Sequence, residues 1–302
     1  MPGFSSLLSV FTAVFFLCLP IGAHSSVTVL APSQPTVDLP TEKADKSVQA
    51  QAGRPAIESR QKPAIPEIDI LFALMDAFAY AAEPIDRPQQ FASLRFDEES
   101  FRKDGELIPE RSDLLGDMEE ISYLGEKAWG INIALDKAGL YQFIAEGRPR
   151  WDESAQRFVQ QTAKTMLPVM GHEAGWWRPA AFNFEIVPLT RPFGLVAPAI
   201  FSGTVLLDGK PLAHAPVSMQ RINADRKSRA GAWQRELCAV TDARGNFVFL
   251  LDRGGWWGCR ASARGDAIKG PDGASSPLEL GTLLWLYVDD SPLAGARKSS
   301  DQ

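Results

Sequence analysis

Short apolar runs separated by turn-forming residues recur along residues 66–289, and they constrain the fold more than any other feature. Each run has the length of a β-strand, and no long amphipathic helical pattern lies between them. Strands at this spacing are typical of β-sandwiches. The clearest runs are Ala128–Leu135, Leu140–Ala145, Arg157–Gln161, Phe184–Val187, Ile200–Leu207, Ala215–Arg221, Glu236–Thr241, Asn246–Leu251, Trp256–Ser262 and Thr282–Val288.

These runs predict an all-β protein with two β-sandwich domains, at residues 66–187 and 188–289. Turn signals are clearest in the second domain, where Asp208-Gly209 is typical of a tight hairpin and Gly245 can adopt a positive φ. A third turn lies at Asp252–Gly255. We therefore predict an immunoglobulin-like or prealbumin-like sandwich for residues 188–289. Asp69–Ala82 is ambiguous, because its length and its Ala, Leu and Met content also suit a helix.

The first 25 residues carry no charged side chain and contain the apolar run Leu7–Leu19, which is typical of a signal peptide. A buried N-terminal helix is the alternative. Cleavage after Ser25 fits the preference for small residues near the cut. Cleavage after Ala23 would instead make His24 the first residue, where the α-amine and the imidazole could chelate a metal together. We predict a signal peptide at residues 1–25 and a periplasmic location.

The flanking segments look unstructured. Residues 26–65 contain no aromatic residue and several prolines, a composition that buries little apolar surface. We predict a flexible linker there, although Ser26–Leu30 could add an edge strand to the folded part. Residues 290–302 read as a disordered tail. No segment after the leader is long and apolar enough for a transmembrane helix.

The net charge and the missing motifs argue against several classes of function. A formal net charge of −6 argues against nucleic-acid binding, which requires clustered Lys and Arg. Phosphate-binding loops, nucleophile elbows and zinc-protease motifs are all missing from the sequence. No His lies at a recognisable spacing from a nucleophile. We therefore predict a protein that is not an enzyme.

Cys238 and Cys259 are the two cysteines that remain after loss of the leader, which contains Cys18. They flank a predicted hairpin, and an oxidising compartment would allow them to pair. A disulfide closing this loop would contribute about 3 kcal/mol in the chain-entropy model. Two separately buried thiols are the alternative.

Two pairs of adjacent tryptophans stand out, Trp176-Trp177 and Trp256-Trp257. Neighbouring residues on a strand point to opposite faces of the sheet. We expect one ring of each pair in a core and the other at a domain interface. A stacking platform for a sugar or another ligand, at Trp176 and Trp177, is the alternative.

Several segments resemble a bacterial periplasmic family linked to nickel and cobalt uptake. The likeness covers roughly Asp69–Val288 and is most specific over Glu185–Trp285. It favours a strand for Asp69–Ala82. The matching segments are Lys137–Phe143, Pro149–Glu153, Thr162 with Lys164, Glu185–Gly194, Phe201–Pro211, Gly255–Gly258 and Leu278–Trp285.

The resemblance implies two β-domains and a bound Ni(II) or Co(II), held partly by histidines. Family members often have His in two segments that correspond here to Phe78–Pro84 and Gln160–Lys164, and neither contains His in this chain. His24 matches the family's Ala-His junction between leader and mature protein, and is the first candidate ligand. His172 is the second, and His214 reads as an ordinary loop residue.

Two functions follow from this comparison. The first is a periplasmic accessory protein that binds Ni(II) or Co(II) and delivers it to the membrane subunits of a metal transporter. The second is a non-catalytic structural or ligand-binding module of the envelope that has lost the metal site.

Overall fold

The computed structural model describes residues 26–37, 65–100, 107–226, 228–270 and 273–291. The described part is almost entirely β-structure, which confirms the all-β prediction. Within it, no helix is long and apolar enough to cross a membrane. Three short 3-10 helices lie at Glu98–Ser100, Leu115–Asp117 and Ala232–Gln234.

The strands fall into an earlier and a later group along the chain. The earlier strands are β1 (Val27–Pro32), β2 (Glu67–Asp76), β3 (Ala81–Glu83), β4 (Gln90–Phe96), β5 (Glu110–Asp113), β6 (Glu119–Tyr123), β7 (Glu126–Ala134), β8 (Gly139–Glu146), β9 (Arg150–Asp152) and β10 (Arg157–Val169). The later strands are β11 (Phe184–Pro188), β12 (Leu195–Val196), β13 (Ala199–Leu207), β14 (Lys210–Pro211), β15 (Pro216–Arg221), β16 (Glu236–Val240), β17 (Asn246–Leu251), β18 (Gly255–Lys269) and β19 (Ser275–Asp289).

A ten-stranded sheet forms the centre of the molecule, with the order β16-β15-β18-β19-β10-β8-β4-β5 and with β12 and β9 alongside. The later and earlier strands meet where β10 and β19 pair in parallel, from Phe158 opposite Leu278 to Thr165 opposite Trp285. A five-stranded sheet, β1-β2-β7-β6 with β3, covers one face. A four-stranded sheet, β11-β13-β14 with β17, covers the other.

Two hydrophobic cores lie on the two faces of the central sheet, and its residues alternate between them. Leu283 and Trp285 of β19 pack in the core beneath the five-stranded sheet, whereas Leu284 and Leu286 pack in the core beneath the four-stranded sheet. Burial on both faces explains why such strands are continuously apolar. Sandwich-like packing therefore occurs on each side of one shared sheet.

The division into domains at 66–187 and 188–289 stays a prediction. The boundary between residues 187 and 188 falls within β11, and strands from both segments join the central sheet. On the later side, β16-β15-β18-β19 face β11-β13-β17 across a common core, which is an immunoglobulin-like sandwich arrangement.

The first two turn predictions for this sandwich are confirmed, and the third segment, Asp252–Gly254, connects β17 to β18. Asp208 and Gly209 have φ values of 50° and 72°, as a tight hairpin turn requires, and Gly245 has a φ of 75°. The Asp242 carboxylate closes the second turn by accepting the backbone N–H groups of Arg244 and Asn246, both at 2.8 Å.

This turn gives a pH prediction. The backbone N–H groups of Asn246 and Arg244 lower the pKa of Asp242. A carboxyl whose pKa is lower in the folded state stabilises the protein above its unfolded pKa of about 4, and that contribution is lost as the pH falls through the folded value. We expect Asp242→Asn to reduce the dependence of stability on pH below about 4. Denaturant unfolding between pH 2 and 6 measures this, and unchanged pH dependence would contradict it.

The prediction of a flexible linker is wrong for its first residues, because residues 26–37 belong to the folded part of the chain. β1 pairs with β2, from Val27 opposite Met75 to Pro32 opposite Ile70, and its Val29 and Leu30 are buried. Residues 27–30 are all buried, because β1 packs against the central sheet as well as pairing with β2. The alternative of an edge strand at Ser26–Leu30 is therefore confirmed. Residues 38–64, the leader at 1–25 and residues 292–302 of the tail lie outside the described residues.

Asp69–Ala82 is β-structure and not a helix. β2 has β1 on one side and β7 on the other, so its residues are covered on both edges. Ile68, Ile70 and Phe72 are buried in the core beneath it. Pairing with two neighbours overrides the helical propensity of this segment.

Candidate functional site

The predicted metal ligands are dispersed. His24 lies outside the described residues. His172 is half-buried in the turn after β10, where its backbone N–H donates to the Val169 carbonyl, and His214 is exposed with a φ of 59°. Among the described residues, no three His, Cys, Asp or Glu side chains form a group that could hold a metal ion.

The candidate disulfide between Cys238 and Cys259 is contradicted. The two residues lie on β16 and β18, on either side of β15, where they oppose Ser218 and Met219 respectively. Strands two positions apart are about 10 Å apart, beyond the Cα separation of about 7 Å that a disulfide tolerates. Consecutive residues of β15 also face opposite sides, so the two thiols do too. Burial raises the pKa of the Cys259 thiol, as expected for an inert core cysteine.

The tryptophan pairs differ in their surroundings. Trp257 is buried beneath the four-stranded sheet, whereas Trp256 packs on the other core, so these neighbours do face opposite sides of β18. Trp176 and Trp177 lie in a turn, with their rings edge to face at 5.5 Å between centroids. Trp176 packs on the core and Trp177 is 45% exposed. Perpendicular rings do not form a single flat stacking platform, and the ligand-platform reading stays a prediction.

The structure brings together four residues around the start of β1, and we call them the N-terminal cluster: Ser26, Glu83, Arg150 and Gln161. The Ser26 hydroxyl donates to the Glu83 carboxylate, and the Arg150 guanidinium donates to the Ser26 carbonyl at 3.3 Å. Ser26 is only 5% exposed. The chain that follows the predicted cleavage site is thus fixed to β3 and β9 by polar contacts.

Gln161 on β10 fixes the next residues of β1. Its Oε1 accepts the backbone N–H of Thr28 at 2.8 Å and the Thr28 hydroxyl at 2.7 Å. The Thr28 carbonyl in turn accepts the indole N–H of Trp285 at 2.9 Å. A buried polar group must be paired to avoid a desolvation cost, so these bonds fix the register of β1 on the central sheet.

A cavity of about 300 Å³ opens beside this cluster, lined by Thr28, Arg150 and Gln161 together with residues 84–86 and 147–149. Burial lowers the pKa of the Arg150 guanidinium, while the Glu83 and Asp152 carboxylates act in the opposite direction. The charged residues that line the cavity itself are Lys127, Arg148 and Arg150 against Asp86, so its lining is mainly basic.

A buried ion pair links two of the segments that carried the family resemblance. The Lys164 ammonium lies 2.8 Å from the Glu185 carboxylate, and their side chains are only 2% and 3% exposed. The same carboxylate oxygen accepts the Ala180 backbone N–H at 2.8 Å. This pair connects the central sheet to the four-stranded sheet across the core.

Sequence reasoning missed both arrangements, for different reasons. The buried pair left a signal, since Glu185 lies inside the strand-like run Phe184–Val187, where an unpaired charge would be costly, and Lys164 follows the run Arg157–Gln161 by three residues. Nothing in the sequence indicated that Glu83 and Gln161 contact the start of β1, because those contacts span 57 and 135 residues.

A larger opening, which we call the edge groove, lies between β16 and β17 and has a volume of about 1080 Å³. Met219, Phe249 and Trp257 contribute apolar surface to it. Its charged residues are mainly basic: Arg221, Arg229, Arg235 and Arg253 against Glu236 and Asp252. Its rim includes Trp233, which is 86% exposed.

Comparison with known proteins identifies one family. The model of the family described as "Domain of unknown function (DUF4198)" matches residues 59–265, more than half of the chain. A search of curated proteins gives no significant match.

Three solved structures illustrate the structural comparison, and their TM-scores are too low to bear on fold or function. The two tandem V-type regions of VCBP3, a v-region-containing chitin binding protein, are 10% identical, with 85% of this chain and 99% of that chain covered and a TM-score of 0.21. The D00-D0 domain of intimin is 11% identical, with coverages of 87% and 100% and a TM-score of 0.19. BcpA, the major pilin subunit of Bacillus cereus, is 8% identical, with coverages of 88% and 70% and a TM-score of 0.16.

Proposed function

The chain belongs to the DUF4198 family, and we propose that it is a non-catalytic periplasmic protein that binds Ni(II) or Co(II) at its mature N-terminus and delivers the ion to a membrane transporter. The observation that carries the proposal is the buried attachment of Ser26 to Glu83 in the N-terminal cluster. His24 precedes Ser26 by two residues, which corresponds to at most about 7 Å of chain.

The donors available at this place suit a transition metal. The proposal requires cleavage after Ala23, because removal of residues 1–25 would remove His24 as well. Cleavage after Ala23 would give His24 a free α-amine, and amine and imidazole nitrogen atoms are ligands that Ni(II) favours. Glu83 supplies a carboxylate from the segment in which family members often carry His. The Arg150 guanidinium also lies nearby and opposes a cation there, whereas the Glu83 and Asp152 carboxylates act in the opposite direction. A site of this kind has few protein ligands, as expected for an ion that must be released to a partner.

Metal titration of the exported, untagged chain tests the proposal. We expect Ni(II) to bind more tightly than about 100 µM by calorimetry, and His24→Ala and Glu83→Gln each to weaken binding at least about tenfold. His214→Ala is the matched control, because His214 is exposed on a separate loop, and it should bind like the unmodified chain.

Mass spectrometry of the mature N-terminus completes the test. A first residue of His24 with the binding above supports the proposal. A first residue of Ser26, or the lack of binding tighter than about 100 µM, would contradict it. Tight binding that His24→Ala leaves unchanged would also contradict an N-terminal site and would direct attention to His172.

The edge groove favours a second function, that of a non-catalytic envelope module that binds a ligand other than a metal. Its volume of about 1080 Å³ is sufficient for a peptide or an oligosaccharide. This function needs no metal ligand, so the two candidates are separated by the titration above.

A further inference from the structure

The edge groove is bordered by two strands that each lie at the edge of a sheet. Within the described residues, β17 pairs only with β13 and β16 pairs only with β15. Unpaired N–H and C=O groups on such edges can accept a further strand. β17 has six residues, which corresponds to about 20 Å of extended peptide.

The side chains of β17 offer apolar contacts on both faces of this edge. Phe249 points into the core, whereas Val248 and Leu250 are 61% and 57% exposed. Leu250 lies opposite Ile200 on β13, which is also 61% exposed. An exposed apolar stripe along an unprotected edge strand is typical of an interaction surface and is otherwise avoided.

The mainly basic side chains around the groove indicate the charge of its partner. The Arg235 guanidinium lies over the Phe78 ring at 4.3 Å from its centroid, and Arg221 donates to the Gly254 carbonyl through Nε. Arg229 is exposed, and no hydrogen bond or ion pair joins it to the described part of the chain. Asp252 is bonded to Arg253 and also interacts with Arg221, and Glu236 is the other acidic residue of the lining, so four guanidinium groups face two carboxylates. This basic region contrasts with the net charge of −6 of the whole chain.

We propose that the edge groove binds an extended acidic segment of a partner protein, which pairs with β17 as an additional strand. The partner's backbone bonds to β17, its apolar side chains cover Val248 and Leu250, and its carboxylates face the arginines. Electrostatic complementarity of this kind sets specificity and association rate.

Other occupants match the groove less well. A second copy that bound symmetrically, groove to groove, would bring the same arginines, which repel each other. Residues 38–64 carry five basic and four acidic side chains, and residues 292–302 carry two basic and one acidic, so neither segment is acidic. An anionic glycan could stack on Trp233, which is 86% exposed at the rim, but it would leave the edge of β17 unpaired.

Fluorescence anisotropy with the full mature chain tests the proposal. The probe is a labelled eight-residue peptide of alternating glutamate and valine, and the matched probe has lysine in place of glutamate. We expect micromolar binding of the acidic peptide and at least about tenfold weaker binding of the basic one. N-methylation of alternate backbone amides should abolish binding of the acidic peptide, because it removes the donors of the added strand.

Variants locate the site. Arg229→Glu and Leu250→Ser should each weaken binding about tenfold, and both residues are exposed, so folding is not at risk. Arg111→Glu is the control, because Arg111 is exposed on β5, at the opposite edge of the central sheet.

Three results would overturn the proposal. The first is equal binding of the acidic and basic peptides. The second is undiminished binding of the N-methylated peptide, which would exclude strand pairing. The third is failure of the acidic peptide to bind at 1 mM. Binding of polygalacturonate that depends on Arg229 would then assign the groove to an anionic glycan. Self-association that Leu250→Ser abolishes would assign it to a second copy of the chain.

Discussion

Glu185→Gln lowers the free energy of unfolding by about 3–5 kcal/mol, the largest effect that we expect from a single polar substitution in this chain. The change leaves the Lys164 ammonium buried at 2% exposure without its carboxylate partner. An uncompensated charge in an apolar core is far more costly than a lost surface contact. Urea-induced unfolding at pH 7 measures the difference.

The double variant Lys164→Met, Glu185→Gln separates the cost of an unpaired charge from the cost of changing the shape of the side chains. It removes both charges and retains an amide oxygen that can accept the Ala180 N–H, so it should be more stable than Glu185→Gln alone. Asp86→Asn is the control, because Asp86 forms an exposed ion pair with Lys127, and it should cost less than about 1 kcal/mol. Similar losses for Asp86→Asn and Glu185→Gln would contradict this account.

Trp285→Ala should also lower the free energy of unfolding by about 3–5 kcal/mol, through the loss of a large buried side chain. Trp285 is 1% exposed at the parallel junction of β10 and β19, and its indole N–H bonds to the Thr28 carbonyl on β1. The substitution therefore opens a cavity and releases one attachment of β1. Denaturant unfolding gives the stability, and hydrogen exchange of the β1 amides gives the local effect.

Trp233→Ala provides the matched control for this substitution. Trp233 is 86% exposed, so its removal should change stability by no more than about 0.5 kcal/mol and leave exchange in β1 unaltered. If Trp285→Ala destabilised the chain without faster hydrogen exchange of the β1 amides, the attachment of β1 through Trp285 would be refuted. The contribution of Trp285 to the core would still be supported.

The candidate site was only partly predictable. His24 and the two cleavage positions were predicted from local sequence, because leader peptides have recognisable patterns, and they stay predictions because residues 1–25 lie outside the described residues. Glu83, Arg150 and Gln161 were not found, because no local pattern indicates which distant residues surround the start of β1. The disulfide prediction was wrong for the same reason: spacing places Cys238 and Cys259 on nearby strands, but only the sheet order inserts β15 between them.

By itself, the sequence determined the elements that depend on neighbouring residues. Alternating and continuous apolar runs predicted the strands from β7 onwards except the short β9, β12 and β14. Asp208, Gly209 and Gly245 predicted turns, because side-chain alternation and positive φ are local properties. Only the tertiary structure decided how the strands combine. The central sheet, the parallel junction of β10 with β19 and the incorporation of residues 26–37 all depend on contacts between distant segments. Those contacts are selected by the burial of both faces of one sheet, which no local pattern specifies.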